Sequence, residues 1–196
     1  MDDKMKPFKI LDCFCGLGGA SEGFYSEGFD CTGIDIINMG YPYHFIHADM
    51  LALNGKDFHG YDVMWGSPPC RDFTQLPDHH LTKKGVRQEW KRPKQPEVGM
   101  VLVKAYLNFV REAQPQFWIL ENVKGLIPYL GKPVMFSEIK RGMKRGFWGN
   151  FPYFLMPCDN KVRVWNWDDS PTKAKIPFTC SQAFARACKD ALTQYL

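Results

Sequence analysis

The segment Phe8–Gly19, FKILDCFCGLGG, decides the fold of this chain. A short apolar run, Phe8–Cys13, leads into a turn with three glycines, and Ala20–Gly28 then has the spacing of a helix. A strand, a glycine turn and a helix in this order let the backbone approach a nucleotide-like cofactor closely. The dinucleotide pattern Gly-x-Gly-x-x-Gly is incomplete because Ser21 stands at the third glycine position, so an ordinary tight turn also fits.

Further strand-like runs and one long helix continue the alternation. Strands that alternate with helices predict an α/β fold with a doubly wound, mostly parallel sheet. In such sheets, ligands bind beyond the carboxyl ends of the strands. The predicted strands are Cys31–Asp35, Phe45–Asp49, Tyr61–Trp65 and Gln116–Leu120, and the predicted helices are Glu97–Ala113 and the C-terminal Ser181–Leu196. The polar residues at or just past strand ends are Asp12, Asp35, Asp49, Cys70 and Glu121.

Composition and length restrict the class of protein. A chain of 196 residues predicts one domain over residues 1–196, and 45% hydrophobic residues are typical of globular proteins. The net charge of +4 permits a nucleic-acid partner without requiring one. The longest apolar stretch, Met100–Val110, is too short to span a bilayer, and the charged N-terminus is unlike a signal peptide. Seven cysteines without a repeated spacing favour free thiols in the cytoplasm and predict no metal site.

Two stretches are rich in basic residues. Gln75–Glu97 contains six lysines and arginines, and we expect it to form a long exposed loop. Lys132–Arg145 contains five basic residues and one acid. Aromatic residues follow it, so residues 132–152 form a basic and aromatic segment. Each stretch suits contacts to phosphates, and each would also suit a solvated surface.

Two short motifs carry candidate chemistry. Ser67-Pro68-Pro69-Cys70 holds the chain rigidly as it leaves a strand, so Cys70 is placed at the edge where ligands bind. The neighbouring Arg71 favours a reactive thiol over a small buried side chain. Glu121 follows a fully apolar strand, where a carboxylate costs free energy unless it is paired or protonated. The alternative is that Glu121 caps the segment Lys124–Tyr129.

Three motifs occur in order and together resemble the DNA (cytosine-5)-methyltransferase family. They are Asp12–Gly19, Pro68–Cys70 with Phe73-Thr74, and Glu121–Gly125, and the resemblance covers roughly residues 8–127. The tail segments Phe147–Pro152 and Ile176–Phe178 resemble compact enzymes of this family from bacteriophages and prophages. The resemblance implies a Rossmann-like methyltransferase fold that uses S-adenosylmethionine.

The resemblance also implies a role for individual residues. Cys70 would add to C6 of a flipped cytosine, Glu121 would bind the N3 and amino edge, and Asn122 would hold the Pro68-Pro69 loop. Arg145 is the candidate arginine beside the target base, because only Arg145–Gly149 fits the second half of the family's arginine motif, with Arg141 as its possible companion. Asp35 would bind the ribose, Ile36 would pack on adenine, and Asp49 with Met50 would contact the adenine edge. The other residues implied to bind the cofactor are Phe14, Gly16, Leu17, Gly18, Gly19 and Pro68, and the helix near Ser181 is implied to complete the pocket.

The chain departs from the family in size. Only 47 residues follow Gly149, so a full-size target-recognition domain does not fit. We therefore expect double-stranded DNA to be bound by the basic stretches, or a protein partner or self-association to supply target recognition. The predicted DNA contacts are Arg71, Lys83, Lys84, Arg87, Lys91, Arg92 and Arg141. Two other functions stay open: cytosine-5 methylation of tRNA or another RNA, and an inactive subunit that binds S-adenosylmethionine or DNA.

Overall fold

A seven-stranded, mostly parallel sheet forms the centre of the computed structural model. The structure describes residues 6–74, 95–140, 142–157 and 175–194 and, for the backbone only, residues 78–81 and 87–90. The strands in chain order are β1 (Lys9–Cys13), β2 (Asp30–Asp35), β3 (His44–His47), β4 (Val63–Gly66), β5 (Asp78–Leu81), β6 (Arg87–Trp90), β7 (Phe117–Asn122), β8 (Met135–Lys140) and β9 (Met143–Asn150). The sheet has the order β3-β2-β1-β4-β7-β9-β8, and β5 and β6 form a separate antiparallel pair.

Five strands of the sheet run parallel, and an antiparallel hairpin completes one edge. β3, β2, β1, β4 and β7 pair in parallel, so their carboxyl ends lie at the same edge of the sheet. β9 runs antiparallel to β7 and to β8. The strand order reverses around β1 and β4, the kind of position at which α/β sheets bind ligands.

Helices cover both faces of the sheet, which confirms the predicted α/β class. The α-helices are α1 (Gly19–Ser26), α2 (Pro96–Ala113), α3 (Ile127–Leu130) and α4 (Phe178–Thr193), with 3-10 turns at Met50–Ala52, Gly55–Phe58 and Lys124–Leu126. Alternate residues of β4 enter different clusters: Trp65 packs with Phe184 of α4, and Met64 packs with Tyr106 of α2. Both faces of the central strands are therefore buried, as their nearly continuous apolar sequences predict.

Helices α1 and α4 pack closely because α1 carries a glycine at the contact. A Cβ at Gly23 would lie 2.2 Å from the backbone nitrogen of Gln182, so only glycine allows this approach. α4 begins at Phe178 and not at Ser181 as predicted, because Pro177 provides the extended residue before the first turn. Among the described residues, no helix is long and apolar enough to cross a membrane.

Two basic stretches contain more regular structure than their sequences predict. The prediction of a loop over Gln75–Glu97 is wrong for β5 and β6, which pair by backbone hydrogen bonds, and for the start of α2 at Pro96. These polar strands lack the alternation of apolar residues that signals a half-buried strand. Lys132–Arg145 includes all of β8 and the start of β9, and Met135, Ile139 and Met143 are buried.

Candidate active site

A cavity of about 400 Å³ opens at the carboxyl ends of the parallel strands. The glycine turn after β1, the end of β2, the turn after β3, the loop after β4, and β7 with β9 contribute to its wall. Two segments far apart in the sequence complete it, one from α2 and one just before α4. The lining residues are Asp12, Phe14, Cys15, Gly16, Leu17, Gly19, Ala20, Ile34, Asp35, Ile36, Ile37, Met39, Ala48, Asp49, Met50, Ser67, Pro68, Pro69, Cys70, Leu102, Glu121, Arg145, Lys175 and Ile176.

The glycine turn is tied to the end of β2 through Asp35. Its carboxylate accepts hydrogen bonds from the backbone N–H groups of Gly16 (3.0 Å) and Ile37 (3.3 Å). Gly16 has a φ of 50°, and a Cβ there would meet no atom within 4 Å, so the turn leaves open space in the cavity. Phe14 also has a positive φ, of 60°, which is uncommon for a residue with a side chain and indicates a constrained turn.

Apolar side chains and a carboxylate line the part of the cavity beyond β2 and β3. Ile36 is 59% exposed and Met39 is 41% exposed although both are apolar. Asp49 is exposed and caps the following turn, where its carboxylate accepts a hydrogen bond of 2.9 Å from the N–H of Leu51. An apolar surface beside carboxylates suits a flat heteroaromatic ring that carries a sugar.

A buried acid lies at the bottom of the cavity. Asp12 is 2% exposed and accepts hydrogen bonds from the hydroxyl (2.8 Å) and the N–H (3.3 Å) of Ser21. The Ser21 hydroxyl also lies 2.6 Å from the hydroxyl of Tyr41. Burial raises the pKa of Asp12 to about 7, against the opposing effect of the Ser21 hydrogen bonds. The serine that interrupts the dinucleotide pattern is thus the partner of this buried acid.

The loop that carries Cys70 is fixed from several sides. The N–H of Ser67 donates to the carbonyl of Cys13 (3.2 Å), and the Asn122 side chain donates to the carbonyl of Pro68 (3.0 Å). The hydroxyl of Thr74 donates to the carbonyl of Cys70 at 3.0 Å. The backbone around the thiol is therefore held by β1, by β7 and by its own following turn.

Glu121 and Arg145 form an ion pair beside Cys70. Nε of Arg145 lies 2.5 Å from Oε1 of Glu121, and both side chains are mostly buried. Burial raises the pKa of Glu121, while Arg145 and a hydrogen bond from the Ser67 side chain lower it. The register of β7 and β9 explains the contact between Glu121 and Arg145. Glu121 pairs with Phe147, and Arg145 is two residues from Phe147 and so lies on the same face of β9.

The charge environment of the thiol differs from the prediction. Burial and the negative charge of Glu121 raise the pKa of Cys70, and the positive charge that lowers it belongs to Arg145. Arg71, which we expected to favour a reactive thiol, is exposed, and the cation that lowers this pKa comes from β9. A sequence neighbour is a poor guide here because the sheet brings a more distant arginine closer.

Most residues predicted for the site lie around one cavity, with two exceptions. Asn122 is fully buried behind the loop and does not line the cavity, but its side chain donates to the carbonyl of Pro68, in the loop that it is implied to hold. Gly18 has a φ of 76° and lies against the rings of Tyr41 and Pro42. All other predicted catalytic and cofactor-binding residues line the cavity.

Sequence analysis missed part of the lining. Lys175 and Ile176 complete the cavity from the segment before α4, and Lys175 pairs with Glu22 of α1 at 2.7 Å. The helix near Ser181 is the element implied to complete the pocket; Ser181 itself packs against Gly23 and is fully buried, and the residues just before this helix line the cavity. Ile176–Phe178 was noted only as a tail segment, and its sequence carries no further signal for this position. Cys15, Ser67, Pro69 and Leu102 also line the cavity and were not predicted to do so.

The predicted DNA contacts are mostly beyond the described structure. Arg71 is exposed next to Cys70. Arg87 belongs to β6, of which only the backbone is described. The remaining predicted contacts, Lys83, Lys84, Lys91, Arg92 and Arg141, lie outside the described residues.

Comparisons with known proteins agree with the three motifs. A family model described as C-5 cytosine-specific DNA methylase matches residues 8–139. A protein of frog virus 3 (isolate Goorha) assigned as a DNA (cytosine-5)-methyltransferase is 27% identical over 116 residues, which are 58% of this chain and 53% of that protein. The type II methyltransferase M.AplI of Arthrospira platensis is 27% identical over 197 aligned positions, covering 89% of this chain and 51% of that enzyme.

A solved structure and the relative lengths complete these comparisons. The crystal structure of a protein assigned as a DNA modification methyltransferase, encoded within a prophage of E. coli, has a TM-score of 0.46 and 24% identity. The aligned parts cover 63% of this chain and 35% of that one. This chain spans between about a third and about half of the length of its curated relatives. Because the family model matches about two thirds of the sequence, in the region that builds most of the cavity, the chain belongs to the C-5 cytosine-specific DNA methylase family.

Proposed function

We propose that this protein transfers a methyl group from S-adenosylmethionine to C5 of cytosine in DNA. The observation that carries the proposal is that one cavity joins the glycine turn to Cys70 and the Glu121–Arg145 pair. A methyl donor and a base would therefore meet within a single site. DNA is favoured over RNA because the matching family model and the two curated relatives described above are named for DNA or type II methylation.

The cavity has the size and the chemistry for S-adenosylmethionine. Its volume of about 400 Å³ is within the usual range for small-molecule sites, and the open space at Gly16 allows close approach to the backbone. Asp35 keeps acceptor capacity for the ribose hydroxyls, because a carboxylate has more lone pairs than its two backbone contacts use. Ile36 would pack on adenine, and Asp49 with Met50 would meet its edge. The other residues that would hold the cofactor are Phe14, Leu17, Gly19 and Pro68, with Gly18 shaping the turn.

S-adenosylmethionine supplies an electrophilic methyl group when it is bound, but C5 of cytosine is a weak nucleophile. In the proposed mechanism the Cys70 thiolate adds to C6, and the electron pair of the C5–C6 bond becomes available at C5. Protonated Glu121 donates to N3 and passes this proton to N3 as the thiolate adds, and the resulting carboxylate, held by Arg145, stabilises the protonated adduct. N3 returns the proton to Glu121 when the thiolate leaves. C5 then takes the methyl group and S-adenosylhomocysteine leaves. A base removes the C5 proton, the C6–S bond breaks, and the aromatic ring and the thiolate are restored.

The position of the thiol implies that the target base leaves the double helix. Cys70 lines a cavity whose other walls include Glu121 and Arg145, so a base must enter between these groups to react. A base that is stacked and paired in a duplex cannot do so, which makes base flipping part of the proposal.

A covalent trap tests the proposed function. Wild-type protein with S-adenosylmethionine should methylate duplex DNA, as read by bisulfite sequencing, and should form a stable complex with DNA that contains 5-fluorocytosine. The Cys70→Ala variant should bind S-adenosylmethionine but lose both reactions. Cys15→Ala is the control, because Cys15 lines the same cavity but burial and two aspartates raise the pKa of its thiol strongly. Trapping through a cysteine other than Cys70, or methylation by Cys70→Ala, would contradict the proposal.

A further inference from the structure

Tyr41, in the loop between β2 and β3, packs against the glycine turn without lining the cavity itself. A Cβ at Gly18 would lie 3.2 Å from two ring carbons of Tyr41, and a Cβ at Gly33 on β2 would lie 2.5 Å from its Cζ atom. The two glycines thus leave a slot that the ring fills, and Tyr41 is only 6% exposed. The family motifs described above do not include Tyr41, and the mechanism so far gives it no role.

The hydroxyl of Tyr41 begins a chain of hydrogen bonds that ends at the bottom of the cavity. Its oxygen lies 2.6 Å from Oγ of Ser21, and the Ser21 hydroxyl donates to the Asp12 carboxylate at 2.8 Å. Because the Ser21 hydroxyl has a single proton and gives it to Asp12, Tyr41 is the donor to Ser21. The N–H of Ser21 donates to the same carboxylate at 3.3 Å, so the chain also ties the first turn of α1 to β1.

This hydrogen-bond chain reaches the proposed cofactor site through its last member. Asp12 lines the cavity, whereas Ser21 and Tyr41 lie behind it. A buried carboxylate is stable only where donors hold it, and Ser21 with Tyr41 supplies them. S-adenosylmethionine carries a net positive charge because of its sulfonium, so an ionised carboxylate in the wall of the cavity favours its binding. Both the shape of the glycine turn and the charge of Asp12 therefore depend on one side chain.

We propose that Tyr41 is a positioning residue for the cofactor: its ring holds the glycine turn in the conformation that binds S-adenosylmethionine, and its hydroxyl holds the Asp12 carboxylate through Ser21. The proposal rests on the proposed function, in which this turn binds S-adenosylmethionine. The two parts are separable, because phenylalanine keeps the ring and removes only the hydroxyl. A tyrosine that merely filled the core would contribute to stability without changing the affinity for the cofactor.

Calorimetric titration of the full chain with S-adenosylmethionine measures both parts. Tyr41→Phe should weaken binding about fivefold, because Ser21 loses its donor. Tyr41→Leu also removes the ring from its slot and should weaken binding more than about tenfold. The matched control is Tyr43→Phe. Tyr43 lies in the same loop with its ring 5.5 Å from that of Tyr41, but its hydroxyl makes no hydrogen bond with a described residue, so this variant should keep the wild-type affinity.

A double-mutant cycle shows whether the hydroxyl acts through Ser21. Ser21→Ala removes the middle of the hydrogen-bond chain and should weaken binding at least as much as Tyr41→Phe. Adding Tyr41→Phe to Ser21→Ala should then weaken binding by less than about twofold, because the phenol no longer has a link to Asp12. If Tyr41→Phe has the same effect in both backgrounds, the hydroxyl does not act through Ser21 and this part of the proposal is overturned.

Steady-state kinetics separate an effect on the cofactor from general damage to the active site. In Tyr41→Phe, the KM for S-adenosylmethionine should rise about fivefold while kcat stays within about twofold of wild type, because the hydrogen-bond chain does not include Cys70 or Glu121. A lower melting temperature with unchanged affinity would show that Tyr41 is only structural. That result, or a fall in kcat at unchanged KM, overturns the proposal.

The outcomes separate this proposal from the proposed function, because calorimetry does not need methyl transfer. If wild-type protein binds S-adenosylmethionine but does not methylate cytosine in DNA, the proposed function fails and the Tyr41 variants still test the role of this residue. If wild-type protein methylates DNA and neither Tyr41 variant changes the affinity, only the proposal for Tyr41 fails. If wild-type protein does not bind S-adenosylmethionine, both are overturned.

Discussion

At the scale of the residue, the thiol of Cys70 lies beside an ion pair whose two charges act on it in opposite directions. Glu121 raises the pKa of Cys70 and Arg145 lowers it, while burial adds to the effect of Glu121. Glu121 and Arg145 are within 2.5 Å of each other, so their fields largely cancel at the thiol. Burial is then the main influence on the thiol, and it favours the protonated form of Cys70.

Removing the negative member of the pair should make the thiol more reactive. Glu121→Gln leaves the positive charge of Arg145 without its partner, so the pKa of Cys70 should fall and the thiolate fraction at pH 7.5 should rise. We expect alkylation of Cys70 by iodoacetamide to become about tenfold faster, and the pH at half-maximal rate to move downward. Peptide mass spectrometry measures the rate at this cysteine. Glu138→Gln on β8 is the control, and an equal acceleration there, or none in Glu121→Gln, would show that the pair does not set the pKa of the thiol.

Sequence alone could predict some of these residues and not others, for physical reasons. Cys70 and Glu121 follow strands of a parallel sheet, and the carboxyl ends of such strands meet at one edge, so a local pattern is enough to find them. Arg145 is identified only through the family resemblance, because it lies on a strand antiparallel to β7 and its distance from Cys70 depends on the register of these two strands. Ser67 and Lys175 line the cavity through contacts with Trp65 and with α1, which no spacing in the sequence encodes.

At the scale of the element, the turn after Cys70 and the turn after β7 are packed backbone to backbone. A Cβ at Gly125 would lie 1.7 Å from the carbonyl oxygen of Phe73, so no larger residue fits without moving one of the two turns. Phe73 is buried in the cluster under α2, and its own N–H donates to the carbonyl of Cys70. The contact at Gly125 therefore fixes the loop that carries the thiol relative to β7.

Adding a methyl group at Gly125 should therefore disturb the active site as well as the fold. We expect Gly125→Ala to lower the free energy of unfolding by roughly 2 kcal/mol, because backbone must shift to relieve the overlap, and to lower methyl transfer more than tenfold. Thermal denaturation and a transfer assay measure the two effects. Gly60→Ala is the control: Gly60 has a φ of 94° but no atom within 4 Å of the added Cβ, so only the cost of the left-handed conformation is expected. If the two variants lose activity equally, close packing at Gly125 is not the cause.

The bounds of an element are predicted accurately where its sequence carries a clear apolar pattern. β1, β2, β4 and α2 lie within two residues of their predicted bounds, because their apolar patterns report burial between helix layers. The pair β5–β6 has no such pattern, and its strands are held by backbone hydrogen bonds that leave no trace in composition. Pattern analysis also misses β8 and β9, because their buried Met135, Ile139 and Met143 lie within a strongly basic stretch.

At the scale of the whole molecule, the sheet gathers the reactive groups, but the described structure leaves few residues for reading DNA. The family match ends at residue 139, and the segment that completes the cavity comes from Lys175 and Ile176 before α4. The basic stretch Gln75–Glu97 starts five residues after Cys70, so it is close to the thiol along the chain. The same stretch also contains His79, His80 and Trp90, and this mixture of basic and aromatic side chains suits phosphates and exposed bases.

If this stretch binds DNA, replacing its charges should weaken binding without affecting the cofactor. In the triple variant Lys83→Ala, Lys84→Ala and Arg87→Ala, each lost phosphate contact should reduce the slope of log K against log salt by about 0.9, giving a total change of up to about 2.7. Fluorescence anisotropy with a labelled duplex at several salt concentrations measures the slope, and calorimetry measures the affinity for S-adenosylmethionine. A matched triple, Lys56→Ala, Lys104→Ala and Arg111→Ala, removes the same charge from exposed positions that do not line the described cavity, so it should keep the wild-type slope. Equal slopes for wild type and the first triple would mean that Gln75–Glu97 is a solvated surface. The search for phosphate contacts would then move to Lys132–Arg145, the other basic stretch of the chain. Its candidates are Lys140, Arg141, Lys144 and Arg145.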